Sequence, residues 1–272
     1  MASPFLLGFF IFYIIPFIIS ISYTFTTGRF AYAGFKNYLD VFASSAFRLA
    51  AWNTIRFILI GVPLAMVSSL FISLLLYRRF YGSQIFRTIL LSPMIVPVAS
   101  IAMFIQVFFA DGGIVNSFLT TVGIPVQQWL GSDWAFVLLI ILFIWKNIGY
   151  NMVLILAGLK AIPGELIELA ALEGANRRQT LLYVTLPMLR PTLFFVTVIS
   201  IVNVFKSFRE AFILGGEIPH KSIYMLQHFI NNNFAGLNYS RLSVAAFLIF
   251  IVLALLVLCL YRVNSKLQYE MK

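Results

Sequence analysis

Two polar clusters stand inside otherwise apolar stretches, and theirs are the residue types that could do chemistry. The first is Trp145, Lys146, Asn147, Tyr150 and Asn151. Asn147, Tyr150 and Asn151 fall at i, i+3 and i+4, so a helix would carry them on one face. The second is Asn203, Lys206, Arg209 and Glu210, with Asn203, Lys206 and Glu210 at i, i+3 and i+7 and with Phe205, Phe208 and Phe212 on the other side. Planar Tyr and Trp rings stack on sugar faces while amides and charges bind hydroxyls, so the two stripes could line a polar cavity. A structural use competes for the second stripe: Lys206 and Glu210, four residues apart, can form a buried ion pair that fixes helix packing. Bond-making chemistry is missing. The chain has no G-x-x-x-x-G-K-[ST] phosphate cradle, no plausible Ser/His/Asp or Cys/His arrangement, no CxxC and no HExxH. Two histidines, His220 and His228, are too few for a metal site, and the single cysteine, Cys259, cannot form an internal disulfide. His228 reads as an exposed or packed histidine rather than a ligand. The expectation is a protein that is not an enzyme and has no metal or cofactor of its own.

Membrane helices must position these clusters. Of 272 residues, 61% are hydrophobic and 10% charged, too little polar surface to cover a soluble domain. A hydrocarbon core of about 30 Å needs about 20 apolar residues in helix. Six stretches qualify, at 5–25, 52–77, 85–110, 134–159, 192–214 and 242–261. The fold class is therefore all-α: a polytopic membrane protein of six transmembrane helices, one domain over 1–272. Period-two alternation is absent, which argues against a β-barrel. The clusters lie in the fourth and fifth spans. A lysine near mid-span costs about 2.5–3.5 kcal/mol and each large aliphatic residue returns about 0.3–0.6, so insertion is feasible but Lys146 calls for a reason. The first span carries Pro16, and Pro63, Pro93 and Pro97 interrupt the backbone ladder of the second and third, either as static bends or as joints in a moving gate. The first span lacks a basic leader and its apolar run is too long for a signal peptide, so it is read as retained.

Basic residues set the orientation. One set of loops and ends carries Arg78, Arg79, Arg87, Lys160, Arg177, Arg178, Arg190, Arg262, Lys266 and Lys272; the other carries Arg29, Lys36, Arg48, Lys221 and Arg241. Cytoplasmic loops hold the Lys/Arg excess, which places both termini and the 162–187 loop in the cytoplasm. The formal charge of +10 is spread over both sides of the membrane rather than along one face, so it points to topology and anionic lipid and not to nucleic acid.

That 162–187 loop is a mostly polar island between two apolar runs. Pro163 suits a first helical turn, and Glu165 and Glu168 put negative charge near the helix's positive end. The helix should stop near Gly174, which can take a left-handed conformation, and Asn176 with Gln179 three residues on resembles a capping box opening a second helix. Leu181, Leu182 and Leu186 then lead to Pro187 and Pro191, where the fifth span is expected to begin.

The loop resembles the cytoplasmic "EAA" loop of binding-protein-dependent ABC importer permeases: Glu168, Leu169 and Ala170 stand for E-A-A, followed by the acidic Glu173, Gly174, and later Leu186-Pro187. Leu169 departs from the usual first Ala and Glu173 from the usual Asp, both mildly. Gly34-Phe35-Lys36-Asn37-Tyr38, Arg87-Thr88, Leu91-Ser92-Pro93, the Gly113 to Asn116 string and Gly215-Gly216 with Pro219 are similar to strings in the carbohydrate-uptake branch, with its maltose, raffinose and glycerol-3-phosphate permeases. The resemblance implies the type I importer fold, bacterial inner-membrane residence and transport by alternating access. It implies a second homologous permease, two ATP-binding subunits that hold the ATP and Mg, and an extracytoplasmic solute-binding protein. It also implies that Glu165, Glu168, Ala170, Ala171, Glu173, Gly174, Ala175 and Pro187 form the surface that couples to the ATPase. The start MASPF leaves almost no leader where relatives commonly carry a basic one, which leaves open whether the native N-terminus is longer. Lys146, Lys206 and Arg209 could favour an anionic sugar, but Glu210 partly cancels them and a neutral oligosaccharide is the first expectation. The alternatives are an ion-coupled secondary transporter, for which no inverted repeat is visible, and a non-transporting subunit that docks an ATPase.

Overall fold

The computed structural model describes residues 3–27, 31–77 and 81–269; Arg29, Arg78, Arg79 and Lys272 of the charge comparison lie outside them. The helices in chain order are α1 (Ser3–Phe9), α2 (Ile15–Thr24), α3 (Lys36–Ala43), α4 (Ser45–Tyr77), α5 (Ser83–Ile95), α6 (Val98–Phe109), α7 (Ile114–Thr121), α8 (Trp134–Ala161), α9 (Gly164–Leu172), α10 (Arg177–Gln179), α11 (Leu186–Lys206), α12 (Phe208–Gly215), α13 (Leu226–Ala235) and α14 (Tyr239–Tyr269). An isolated bridge between Thr26 and Tyr32 is the one extended pairing among the described residues.

Six helical stretches are long and apolar enough to cross a membrane: Pro4–Thr24, Ser45–Tyr77, Val98–Thr121, Trp134–Ala161, Arg177–Gly215 and Tyr239–Arg262. The number agrees with the sequence expectation, but the third and fifth differ from it. The expected continuous span over 85–110 is broken at Val96, whose ψ of 128° is extended. A residue before proline is driven out of the helical region, so Pro97 ends α5, whereas Pro93 is accommodated near the end of that helix. The fifth stretch starts at Arg177 rather than at 192, because α10, a π-helical segment (Thr180–Thr185) and α11 run on without a break. Pro187 sits in the first turn of α11. Proline offers no N–H to the carbonyl four residues back and its ring presses on it; the wider π turn just before it accommodates both effects. The first span repeats the device, with a π-helical segment (Phe10–Ile14) leading to Pro16 at the start of α2.

Helices α4 and α8 form the central pair. Lipid tails are as apolar as leucine, so close packing rather than hydrophobicity draws membrane helices together, and small residues permit it. Gly61, Ala65, Ser69 and Ser73 recur every fourth residue along α4 and all are buried. Ser73 Oγ lies within hydrogen-bond reach of both Ser69 O (2.6 Å) and Met152 O of α8 (3.1 Å). Above this stripe Phe57 meets the edges of Phe136 and Phe143, with ring centroids 5.9 and 5.3 Å away. The Arg56 guanidinium lies 4.2 Å over the Phe136 ring, which gives this intramembrane cation an electrostatic partner. Helix α5 crosses α8 at Gly149, where an added Cβ would fall 2.0 Å from the Leu90 carbonyl oxygen.

The Gly34–Tyr38 string ties the end of the first span to α3. Gly34 has φ +57°, buried Asn37 donates to the carbonyls of Thr24 and Thr26 (both 2.9 Å), and the Tyr38 hydroxyl donates to Thr24 Oγ1 (2.9 Å). At the same end Asn53 of α4 donates to Lys221 O and Tyr224 O, holding the segment before α13.

Candidate functional site

The fifth span is offset at Ser207, between α11 and α12. The Ser207 hydroxyl donates to Asn203 O (3.1 Å) and its N–H points at Asn203 O and Val204 O, closing the last turn of α11 tightly. After this offset Glu210 is buried and forms an ion pair with Lys146 of α8, about halfway along that helix. The pair anticipated between Lys206 and Glu210 does not form. Beside Lys146 on α8, Asn147 Oδ1 accepts from the Asn203 amide (2.8 Å), and one turn further along α8 Asn151 donates to Ser200 Oγ (3.1 Å). Three polar links thus hold α8 to the fifth span along one seam.

Beside the seam lies a cavity of about 510 Å³. Its polar wall is Lys146, Asn147 and Tyr150 from α8 with Asn203, Lys206, Ser207, Arg209 and Glu210 from the fifth span; Met94 of α5, Leu139 and Phe143 contribute apolar surface. The structure therefore brings seven of the sequence-selected residues to one cavity. Asn151 is fully buried in the helix seam instead. Trp145 lies on another side of α8 and lines an apolar cavity of about 580 Å³ with Val96, Phe104 and Phe109. Ser207 is the residue that sequence reasoning missed; its signal is a hydroxyl amid phenylalanines, where a helix can break and still satisfy its carbonyls.

The loop after α8 is built by local cap chemistry. The N–H of Ala175 reaches Ala170 O (2.9 Å) and that of Gly174 reaches Ala171 O (3.1 Å), a Schellman closure that requires the φ of +80° at Gly174. Asn176 Oδ1 accepts the Gln179 N–H (2.9 Å) while Gln179 Oε1 accepts the Asn176 N–H (2.8 Å). Glu165, Glu168, Ala171, Glu173 and Gly174 are exposed, Ala170 and Ala175 half-buried, and Pro187 is half-buried within the fifth helical stretch. Leu166, Leu169 and Leu172 of α9 are 36%, 55% and 85% exposed, an apolar row turned away from the bundle.

His228 is packed, fully buried at the start of α13. Its Nδ1 accepts the Met225 N–H (3.1 Å), and its ring meets Phe208 of α12 edge-on with centroids 4.8 Å apart. Burial pushes its pKa down to about 4, so the imidazole is neutral at physiological pH.

The sequence profile of the family described as "Binding-protein-dependent transport system inner membrane component" matches residues 58–268, which include both polar clusters and the capped loop. The chain belongs to that family. This permease is 31% identical to the probable ABC transporter permease protein YesP of Bacillus subtilis, across 99% of this chain and 91% of that one. It is 29% identical to the arabinooligosaccharides permease AraP of the same organism, across 99% and 88%. It is 31% identical to the sulfoquinovosyl glycerol permease SmoG of Agrobacterium fabrum, across 79% and 72%. In fold the permease is similar to a bacterial alginate ABC transporter solved with an alginate pentasaccharide-bound periplasmic protein, with a TM-score of 0.86 at 21% identity over 98% of this chain and 93% of that chain. As an inner-membrane component it spans the membrane with the six stretches described above.

Proposed function

We propose that this permease is one half of the membrane pathway of an ATP-driven importer that carries a saccharide across the bacterial cytoplasmic membrane by alternating access. The observation that carries this reading is the polar cavity built at mid-membrane by α8 and the broken fifth span, in a chain of an importer family. Amides, a tyrosine and charged groups around about 510 Å³ suit a hydroxylated solute. Relatives named for arabinooligosaccharides and sulfoquinovosyl glycerol support a sugar as that solute.

In this reading Lys146, Asn147, Tyr150, Asn203, Lys206, Arg209 and Glu210 line the pathway, and a second homologous permease supplies the facing wall. A solute-binding protein delivers the sugar from outside. Both termini and the capped loop face the cytoplasm, where two ATPase subunits bind ATP and Mg. The loop transmits their closure: the exposed leucine row of α9 seats in a groove of the ATPase, Glu165 and Glu168 meet basic or amide groups on it, and the Gly174 turn sets the angle between α9 and the fifth span.

A substitution at Gly174 tests this. Nothing lies within 4 Å of a Cβ there, so Gly174→Leu meets no clash inside the chain. It strains one residue by about 1–2 kcal/mol and places bulk on the docking face. Uptake by the assembled importer is expected to fall at least tenfold while the protein stays in the membrane and ATP hydrolysis persists. Normal sugar uptake by this variant would rule out the coupling role.

A further inference from the structure

The cavity between α8 and the fifth span presents three cationic side chains, Lys146, Lys206 and Arg209, and a single carboxylate, Glu210. Read from sequence, that carboxylate offsets the excess by pairing with Lys206. In the structure it is committed to Lys146, and Lys206 and Arg209 are exposed with no acceptor among the described residues. Among the described residues of this chain the cavity therefore keeps two positive charges without a paired carboxylate. Ionisable groups at membrane depth face water or a partner group, and cations in a cleft with low-dielectric walls draw anions into it.

The donors define what would satisfy them. Lys206 and Arg209 stand three residues apart across the Ser207 offset and both border the cavity. An ammonium and a guanidinium only donate hydrogen bonds, and the planar guanidinium matches an oxyanion with two parallel ones. A sugar hydroxyl accepts such a bond but leaves the charge uncompensated. Glu210 borders the same cavity, but its carboxylate is spent on Lys146 and its second oxygen, Oε2, is buried, so it is not offered to a solute. The Tyr150 ring and the Asn147–Asn203 amide pair border the same space.

We infer that the transported saccharide is anionic, its carboxylate, sulfonate or phosphate resting between Lys206 and Arg209. The inference rests on the saccharide-permease reading and narrows it to a charged class in place of the neutral oligosaccharide expected from sequence.

The test is uptake by the complete importer in cells. The probes are uronate trisaccharides, the same trisaccharides with their carboxyls reduced to alcohols, a sugar sulfonate and a sugar phosphate, each of the last two beside its uncharged parent sugar. At least one acidic probe is expected to enter at tenfold or more the rate of its neutral counterpart, and which one does so identifies the anion. Lys206→Met and Arg209→Met should each reduce that acidic-to-neutral ratio by about tenfold, the scale of one charge-assisted hydrogen bond, and Lys206→Arg should retain it. The unsubstituted ratio decides by itself if the methionine variants fail to assemble. Import of the neutral members in preference, with a ratio that neither substitution moves, overturns the inference and leaves saccharide import standing. Import of no saccharide, charged or neutral, overturns both.

Discussion

Lys146 stands about halfway along a helix of 28 residues, where a lone ammonium is costly, and Glu210 is the group that makes it tolerable. Removing one member of a buried pair strands the other, at about 3–5 kcal/mol, whereas removing both is far milder. Lys146→Met is thus expected to lower the stability of the assembled importer by about 3 kcal/mol, and Lys146→Met with Glu210→Gln to recover most of that loss. Thermal unfolding in detergent measures it, and equal losses in the single and double variants would show that the two residues are not coupled. His228 gives a pH prediction at the same scale. Its folded pKa of about 4 lies below the ordinary histidine value of about 6.5, so the unfolded chain binds the proton more readily. Stability is full above about pH 6.5, falls as the pH drops towards 4, and by then has lost about 3 kcal/mol. His228→Gln should flatten the melting temperature across that window; an unchanged slope would assign the pH dependence to other groups.

Helices meet here through missing side chains. At Gly149 the backbone of α5 approaches so closely that any Cβ would overlap the Leu90 carbonyl at 2.0 Å, and that carbonyl belongs to backbone that cannot swing aside. Gly149→Val should therefore push α5 off α8, with overpacking costs of about 1–3 kcal/mol and a rearranged cavity wall at Met94. Lower yield and melting temperature of the purified complex, together with impaired uptake, are the expected signs; wild-type behaviour would mean that α5 and α8 do not cross at this glycine. The serines of α4 work by the same logic with one addition, since each hydroxyl also satisfies a carbonyl of its own helix. The loop is the counterpart outside the bundle: a left-handed glycine and a reciprocal Asn–Gln cap set the turn between α9 and α10 without help from the core.

The whole molecule is unfinished by itself. The first span buries none of its apolar window and the last 17%, against half for α8, so much of the chain's apolar surface awaits lipid or a partner. Two measurements follow at this scale. Purification in mild detergent from the native host should bring down a second six-span permease and a P-loop ATPase, and recovery of this chain alone, where other complexes survive, would contradict the importer assembly. The arrangement in the membrane is read by cysteine labelling, because Cys259 is the single native cysteine and can be replaced by serine. With a membrane-impermeant maleimide on intact cells, Glu217→Cys should react and Glu173→Cys should react only after permeabilisation. The reverse pattern would invert the proposed topology.

What is legible in the sequence is what depends on neighbours along the chain. Six apolar stretches follow from hydrocarbon thickness, and the Gly174 turn and Asn176–Gln179 cap follow from contacts within five residues, so short-range spacing is enough to specify both. The polar stripes are legible as faces, because helical period places Asn147 and Tyr150 together. Where each face points is not. Trp145 belongs to a different side of α8, Asn151 is absorbed by Ser200, and the carboxylate of Glu210 reaches across to Lys146 instead of back to Lys206. Those outcomes turn on the rotation of one helix against another and on a break at Ser207 that its hydroxyl permits but does not demand. Prolines behave likewise: Pro97 stops a helix while Pro16 and Pro187 are absorbed by π turns, since the cost of a lost hydrogen bond depends on whether the surrounding backbone can widen to accommodate it. Residue types and spacing thus establish a six-span membrane protein with two polar stripes, and only the packing of the helices decides which charges remain free in the cavity.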